Sequence, residues 1–374
     1  MPRVSEVCEV LERRFPPVLA AQWDHVGLQV GNRMAEVTDV VAALDVDAEA
    51  VETAKRHGAQ LLVTHHPLVF EPLASVLTDD PRGRLLAEVL AAGISVFACH
   101  TNLDAAPSGL AQRLGEKLGL SALQPVRDGS WPRLYKLAVF VPVSHAEQVR
   151  ESLCSVGVGT IGKYTDTTFS SPGIGTFRPG PGARPFEGKL GELARVDEVR
   201  LESILPSYKL AEALAAVRGT HPYEEIAYDV YELAQPRHAV SAARVGRLPA
   251  PLDADALAAL VSERLGVECV RLVDGGSRQL ERIMVVPGSG GNFVELAVQT
   301  EADALVTGDL KYHEACRARD LGLTVIDAGH HGTERGAVEL LAETIQEASA
   351  ARGWGLQVVA AVNQSPFRTW PTVG

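Results

Sequence analysis

The sequence predicts an α/β protein in which two pseudo-symmetric lobes flank an inserted ferredoxin-like α+β domain. Three observations predict it. Short apolar strands alternate with helical segments over residues 40–99 and again over 282–328, the pattern of βαβ units around a parallel sheet. The two stretches also align as an internal pseudo-repeat. Leu62-Val-Thr-His-His66 falls opposite Leu305-Val-Thr-Gly-Asp309, and Val96-Phe-Ala-Cys-His-Thr-Asn-Leu-Asp104 opposite Val325-Ile-Asp-Ala-Gly-His-His-Gly-Thr-Glu334. Between about 133 and 233 the texture changes to strand, helix, two strands, helix, strand, the order of a ferredoxin-like unit. The chain of 374 residues has room for two or three domains, divided here as lobe 1 (1–130), the insert (131–235) and lobe 2 (236–374).

The elements follow in order. Val4, Val7, Cys8, Leu11 and Phe15 recur at helical spacing until Pro16-Pro17 stops the helix. Trp23-Asp-His-Val-Gly-Leu28 leads into a short strand and reads as structural. Val40–Leu44 is a strand, Ala48–His57 a helix closed by Gly58, and Leu61–Thr64 the next strand, joined by the usual right-handed crossover. That strand runs into His65-His66-Pro67, and Pro67 cannot continue a ladder. A helix over 82–91 and a strand over 94–99 lead to His100-Thr-Asn-Leu-Asp104, which taken alone suits a helix cap or turn.

In the insert we expect strands over 135–141, 198–205 and 226–233, and helices over 144–155, capped by Ser144, and over 207–217. The glycine- and proline-rich run 171–182 supplies a further strand and a loop, and His221-Pro-Tyr-Glu-Glu225 a polar loop. Lobe 2 reads as a helix (253–265), a strand (282–286), a glycine-rich turn (287–292), a helix (293–298), a strand (304–307), a helix (312–321) and a last strand (324–328). The glycine-rich turn matches neither the Walker nor the dinucleotide fingerprint, so a plain tight turn is expected.

Composition narrows the function classes. Hydrophobic residues make up 46% and charged residues 22%, as in an ordinary globular chain. The five cysteines are scattered, with no Cys-x-x-Cys pair, which argues against a disulfide framework or a zinc knuckle. A formal charge of -12 with dispersed basic residues carries no nucleic-acid signature. No long apolar run occurs and the N-terminus opens directly into an amphipathic pattern, so neither a membrane span nor a signal peptide is expected, and the expected location is cytoplasmic.

Strand ends are where α/β sheets place their sites, and here both halves end strands in ligand-type residues. His330 and Glu334 are four apart, on one face if a helix opens at Gly329. His65, His66, Asp104, His330 and Glu334 together offer three imidazoles and two carboxylates. This donor set suits zinc, manganese or iron(II), and exceeds the need of one tetrahedral ion. Two ions bridged by Glu334 would use all five and supply a nucleophile at neutral pH.

At these residues the sequence resembles the GTP cyclohydrolase 1 type 2 homologue family, also called the NIF-three-like family. The resemblance rests on Trp23-Asp-His-Val-Gly-Leu28, Thr64-His-His-Pro67, Thr101-Asn-Leu-Asp104 and Gly329-His-His-Gly-Thr-Glu334, and covers nearly the whole chain. It implies the same five residues as ligands of a dinuclear centre with two divalent ions per chain, zinc first among them. It also implies that the insert is similar to PII and CutA proteins, and that the assembly is a homohexamer. His331 and His100 are the candidate proton carriers. The expected function is a metal-dependent hydrolase of a small-molecule substrate, with GTP ring opening suggested by the family name. The alternatives are hydrolysis of phosphoester or amide bonds at the same metals, and a metal-binding regulatory or scaffold protein that senses a small molecule or partner through its insert.

Overall fold

Two packed faces explain why the strands near the N-terminus read as unbroken apolar runs. In this computed structural model, which describes all residues except 22, 127–132, 162–163, 234–240, 278, 362–363, 369 and 371–374, the first sheet has five strands. Their spatial order is Gly27–Val30, Ser95–Ala98, Leu61–Thr64, Asp39–Ala43 and Gln357–Ala360. Gly27–Val30 pairs antiparallel and the other pairings are parallel. Val41, Ala43 and Leu62 point to one face, under the crossover helices Ala48–His57 and Pro81–Ala91. Val40, Ala42, Leu61 and Val63 point to the other, where Leu11 of helix Val4–Arg14 and Leu341 and Ile345 of helix Gly336–Arg352 close the core. Each fully buried leucine there contributes about 2 kcal/mol of burial. Asp47 caps its helix by accepting from Ala50 N–H, and Gly58 ends it in the left-handed region at φ 62.

The second sheet has six strands, in the order Arg271–Val273, Thr324–Asp327, Ala304–Gly308, Leu280–Ser289, Arg244–Leu252 and Ser121–Pro125. Thr324–Asp327, Ala304–Gly308 and Leu280–Ser289 pair parallel, and the other three pairings are antiparallel. Strand membership departs from a division into consecutive lobes. Ser121–Pro125, within 1–130, pairs with Arg244–Leu252 in the second sheet, while Gln357–Ala360, within 236–374, extends the first. An edge strand's partner is whichever unpaired edge the chain can reach, and nothing in five residues of local sequence encodes that choice. Together these sheets form one compact unit of Met1–Gly129 and Val240–Gly374.

Ser130–Ala239 forms a second unit. The expected limits of the insert, near 130 and 235, lie outside the described residues. Its four-stranded antiparallel sheet has the order Thr168–Phe177, Ala194–Pro206, Leu134–Pro142 and Tyr228–Leu233. Helices Ala146–Ser155 and Leu210–Thr220 bury Val149, Leu153 and Val217 against Leu137, Val139 and Leu201 of the strands. Ser144 does not cap the first helix. It lies in a 3-10 turn, Val143–His145, and its hydroxyl bonds His145 Nδ1 instead. The strand expected over 198–205 runs the longer course Ala194–Pro206 because the glycine- and proline-rich run supplies it with a ten-residue partner. Among the described residues, no helix is long and apolar enough to cross a membrane.

Candidate metal centre

Four strand ends of the first unit deliver the candidate side chains, and the local backbone explains each placement. After Leu61–Thr64, His65 N–H donates to Ala43 and His66 N–H to Leu44, so the ladder continues to the last residue before Pro67. Ser95–Ala98 feeds the five-residue helix Thr101–Ala105, which carries Asp104 near its end. Thr324–Asp327 feeds the five-residue helix His330–Glu334 in the same way. The fourth end, Ala304–Gly308, turns through Asp309, a non-glycine residue at φ 55. Gly308 has no room for a side chain, since a Cβ there would lie 2.6 Å from the backbone at Gly329 and His330. That close approach of two strand ends sets Asp309 beside His330.

Each of the four imidazoles that meet here is held through Nδ1. His65 donates to the Cys99 carbonyl at 2.8 Å, His66 to Asp45 at 2.7 Å, His100 to Asp24 at 2.9 Å and His330 to Asp309 at 2.7 Å. An acceptor at Nδ1 keeps the proton on that nitrogen, so every ring turns Nε2 toward the centre. His65, His66 and His100 bring candidate donor atoms within 4.8 Å of one another, and so do His66, His330 and Glu334, with His66 common to both groups. Glu334 lies 3.0 Å from His66 Nε2, 2.9 Å from His330 Nε2 and 3.7 Å from His65 Nε2. Asp104 Oδ1 is 3.6 Å from His65 Nε2. His100 therefore sits among the donors themselves. His331, on the same turn as His330, is in neither group.

Electrostatics follow from burial and these contacts. Burial holds His65, which is 0% exposed, below the ordinary histidine range and therefore neutral. For His66 burial acts in the same downward sense, but its bonds to Asp45 and Glu334 outweigh it and lift the ring to about 10. His330 rises to about 9, chiefly through its bond to Glu334. Burial and the neighbouring charge of Glu334 push Asp104 well above the carboxylate range. Burial opposes ionisation of Glu334 as well, yet the surrounding histidines hold it well below that range. Asp24, despite its burial, is lowered to about 2 by bonds from His100 and Thr101.

The residues present fit a metal ion. His65 Nε2 and Asp104 Oδ1 are buried without a hydrogen-bond partner, an expensive arrangement unless a cation lies between such donors. Mixed imidazole and carboxylate donors suit a borderline divalent metal. Sequence reasoning does not single out Asp24, Asp45 and Asp309 as the groups that orient the rings. Two signals for them exist: Asp24 lies in the Trp23-Asp-His run read as structural, and Asp309 occupies the pseudo-repeat position of His66. His221 and Tyr223 are engaged inside the second unit, His221 Nε2 with the Phe140 carbonyl and Tyr223 OH with Glu198.

Comparison with known proteins agrees along the length of the chain. The family model described as Duf34/NIF3 (NGG1p interacting factor 3) matches residues 2–366. A "GTP cyclohydrolase 1 type 2 homolog" of Bacillus subtilis is 38% identical over 87% of this chain and 88% of its own length. Another of that name, from Halalkalibacterium halodurans, is 34% identical over 96% and 97%. Among solved structures, a Bacillus cereus protein related to NIF3 superposes with a TM-score of 0.88 at 35% identity, covering 98% of this chain and 99% of that one.

Proposed function

The chain belongs to the Duf34/NIF3 (NGG1p interacting factor 3) family, and on that premise we propose a dinuclear metal-dependent hydrolase. His65, His66, Asp104, His330 and Glu334 would hold two divalent ions, zinc foremost and manganese or iron next, with Glu334 shared between them. The observation that carries this reading is that buried, unpartnered His65 Nε2 lies 3.6 Å from equally unpartnered Asp104 Oδ1 and 3.7 Å from Glu334, which also meets His66 and His330. When bound, the ions supply Lewis acidity, so that water loses a proton near neutral pH.

The remaining work falls to the chain's own side chains. His100 commits its Nδ1 proton to Asp24, which leaves Nε2 to take a proton from water and return it to a leaving nitrogen or oxygen. His331, one residue beyond His330, is the second proton carrier in this reading. The substrate suggested by the relatives' name is GTP, opened at the purine carbon between the imidazole nitrogens. Residues 131–235 are read as a ferredoxin-like, PII/CutA-like insert, the assembly as a homohexamer and the location as cytoplasmic.

The test is GTP turnover by protein reconstituted with zinc or manganese, with Glu334→Ala as control. Turnover that disappears in the control supports ring opening at this centre. Absence of turnover in metal-loaded protein removes GTP and passes the reading to hydrolysis of phosphoester or amide bonds. The separate core of the second unit favours one other reading, a regulatory or scaffold protein that senses a small molecule or partner there. Unchanged ligand responses after deletion of residues 130–235 would reject it.

A further inference from the structure

Two large aromatic side chains stand exposed beside the histidine cluster. Trp23 is 57% exposed and Phe70 43%, yet both are held in contact with the site. Their rings are 5.7 Å apart, and each meets His100 edge-on, at 5.9 Å from Trp23 and 6.1 Å from Phe70. His100 in turn lies 5.3 Å from His65 and 5.5 Å from His66. The two rings thus form a continuous apolar rim that leads to the donor atoms.

Both positions are fixed by bonds that neither ring makes itself. Next to Trp23, the Asp24 carboxylate accepts from His100 Nδ1, Thr101 N–H and the Thr101 hydroxyl. Before Phe70, the Gln29 amide donates to the Val69 carbonyl and accepts from Val69 N–H, and Arg82 donates to the Leu68 carbonyl. Exposed aromatics held rigidly beside polar donors are the arrangement that receives a planar ring, because every conjugated ring offers a face for stacking.

We infer that Trp23 and Phe70 form a stacking wall for a substrate that carries a planar conjugated ring, whose reacting end reaches the His65, His66 and His100 donors. This rests on the reading of the cluster as a substrate site and names the class of substrate that site takes. The two rings are specificity-determining residues, and phosphosugars without a conjugated base lose their contribution.

The test is calorimetric binding to the zinc-loaded 374-residue protein of guanosine 5′-monophosphate, cytidine 5′-monophosphate and, as the probe without a planar conjugated ring, ribose 5-phosphate. Unmodified protein is expected to bind the nucleotides more tightly. Trp23→Leu and Phe70→Leu should each weaken them by about fivefold or more and leave ribose 5-phosphate within about twofold, while Trp23→Phe retains nucleotide affinity. Zinc content per chain, unchanged in all variants, separates loss of the wall from loss of the centre.

Equal weakening of the nucleotides and of ribose 5-phosphate, no binding by any probe, or nucleotide affinity unmoved by either leucine would overturn the inference. So would unmoved affinity with dissociation of the assembly, since a second copy of this chain would then be the occupant of the rim. Nucleotides bound through these rings without GTP turnover would leave the wall standing and remove GTP ring opening from the reading. Turnover with affinity indifferent to both rings would do the reverse.

Discussion

Metal loading should release about two protons per chain at pH 7.5, and the geometry states why. In the metal-free protein His66 lies between Asp45 at 2.7 Å and Glu334 at 3.0 Å, and His330 between Asp309 at 2.7 Å and Glu334 at 2.9 Å. An imidazole with a carboxylate at each nitrogen carries a proton on both. This agrees with values of about 10 and about 9, above the working pH. A ring that binds through Nε2 must give up that proton. His65 contributes nothing, because its Nε2 has no acceptor and burial already keeps the ring neutral. Asp104, held up by burial and by the neighbouring charge of Glu334, can only raise that count.

The overall metal affinity should then rise at least about 100-fold per pH unit between pH 6 and 8. The assay is zinc titration by calorimetry at one pH in buffers of different ionisation enthalpy, from which the proton count follows directly. A heat independent of buffer, or fewer than about one proton released, would refute the argument that metal and proton compete at the same nitrogens.

Three further outcomes follow from the same contacts. Chelated protein should lose stability as pH rises from 7 to 10, since His66 and His330 have raised values and their stabilisation is complete below the ordinary histidine range and lost through about 9 to 10. Thermal melts with and without zinc test this, and a fall of equal size in the zinc-loaded protein would count against it. Gly288→Ala should empty the centre, because a Cβ there would lie 2.1 Å from Glu334 Oε1 at a backbone φ of +63. The left-handed backbone adds a cost of about 1–2 kcal/mol, and zinc content per chain reads the effect. Asp45→Asn should weaken metal affinity roughly 10–100-fold by removing the carboxylate that orients His66, and a competition titration with a chelator measures it.

Much of the first unit is readable from sequence because its signals are local. Apolar runs bounded by glycine and proline mark the strands that are buried on both faces, and caps such as Asp47 mark helix starts. The i,i+4 spacing of His330 and Glu334 is likewise a property of one helical turn, and the helix His330–Glu334 brings the two within 2.9 Å. The pseudo-repeat is legible for the same reason. Each half is a strand followed by a short polar segment, and both segments fold as five-residue helices.

What only the tertiary structure decides is every relation between residues far apart in the chain. Glu334 meets His66 across 268 positions, and Asp24 meets His100 across 76. No periodicity encodes either distance: the first joins ends of different sheets, and the second follows from the pairing of Gly27–Val30 with Ser95–Ala98. The same holds for the strands Ser121–Pro125 and Gln357–Ala360, whose partners, Arg244–Leu252 and Asp39–Ala43, lie far away in the chain. The sequence by itself determines which side chains stand at strand ends. The fold determines which nitrogen of each histidine faces the centre, by placing a carbonyl or carboxylate behind the other.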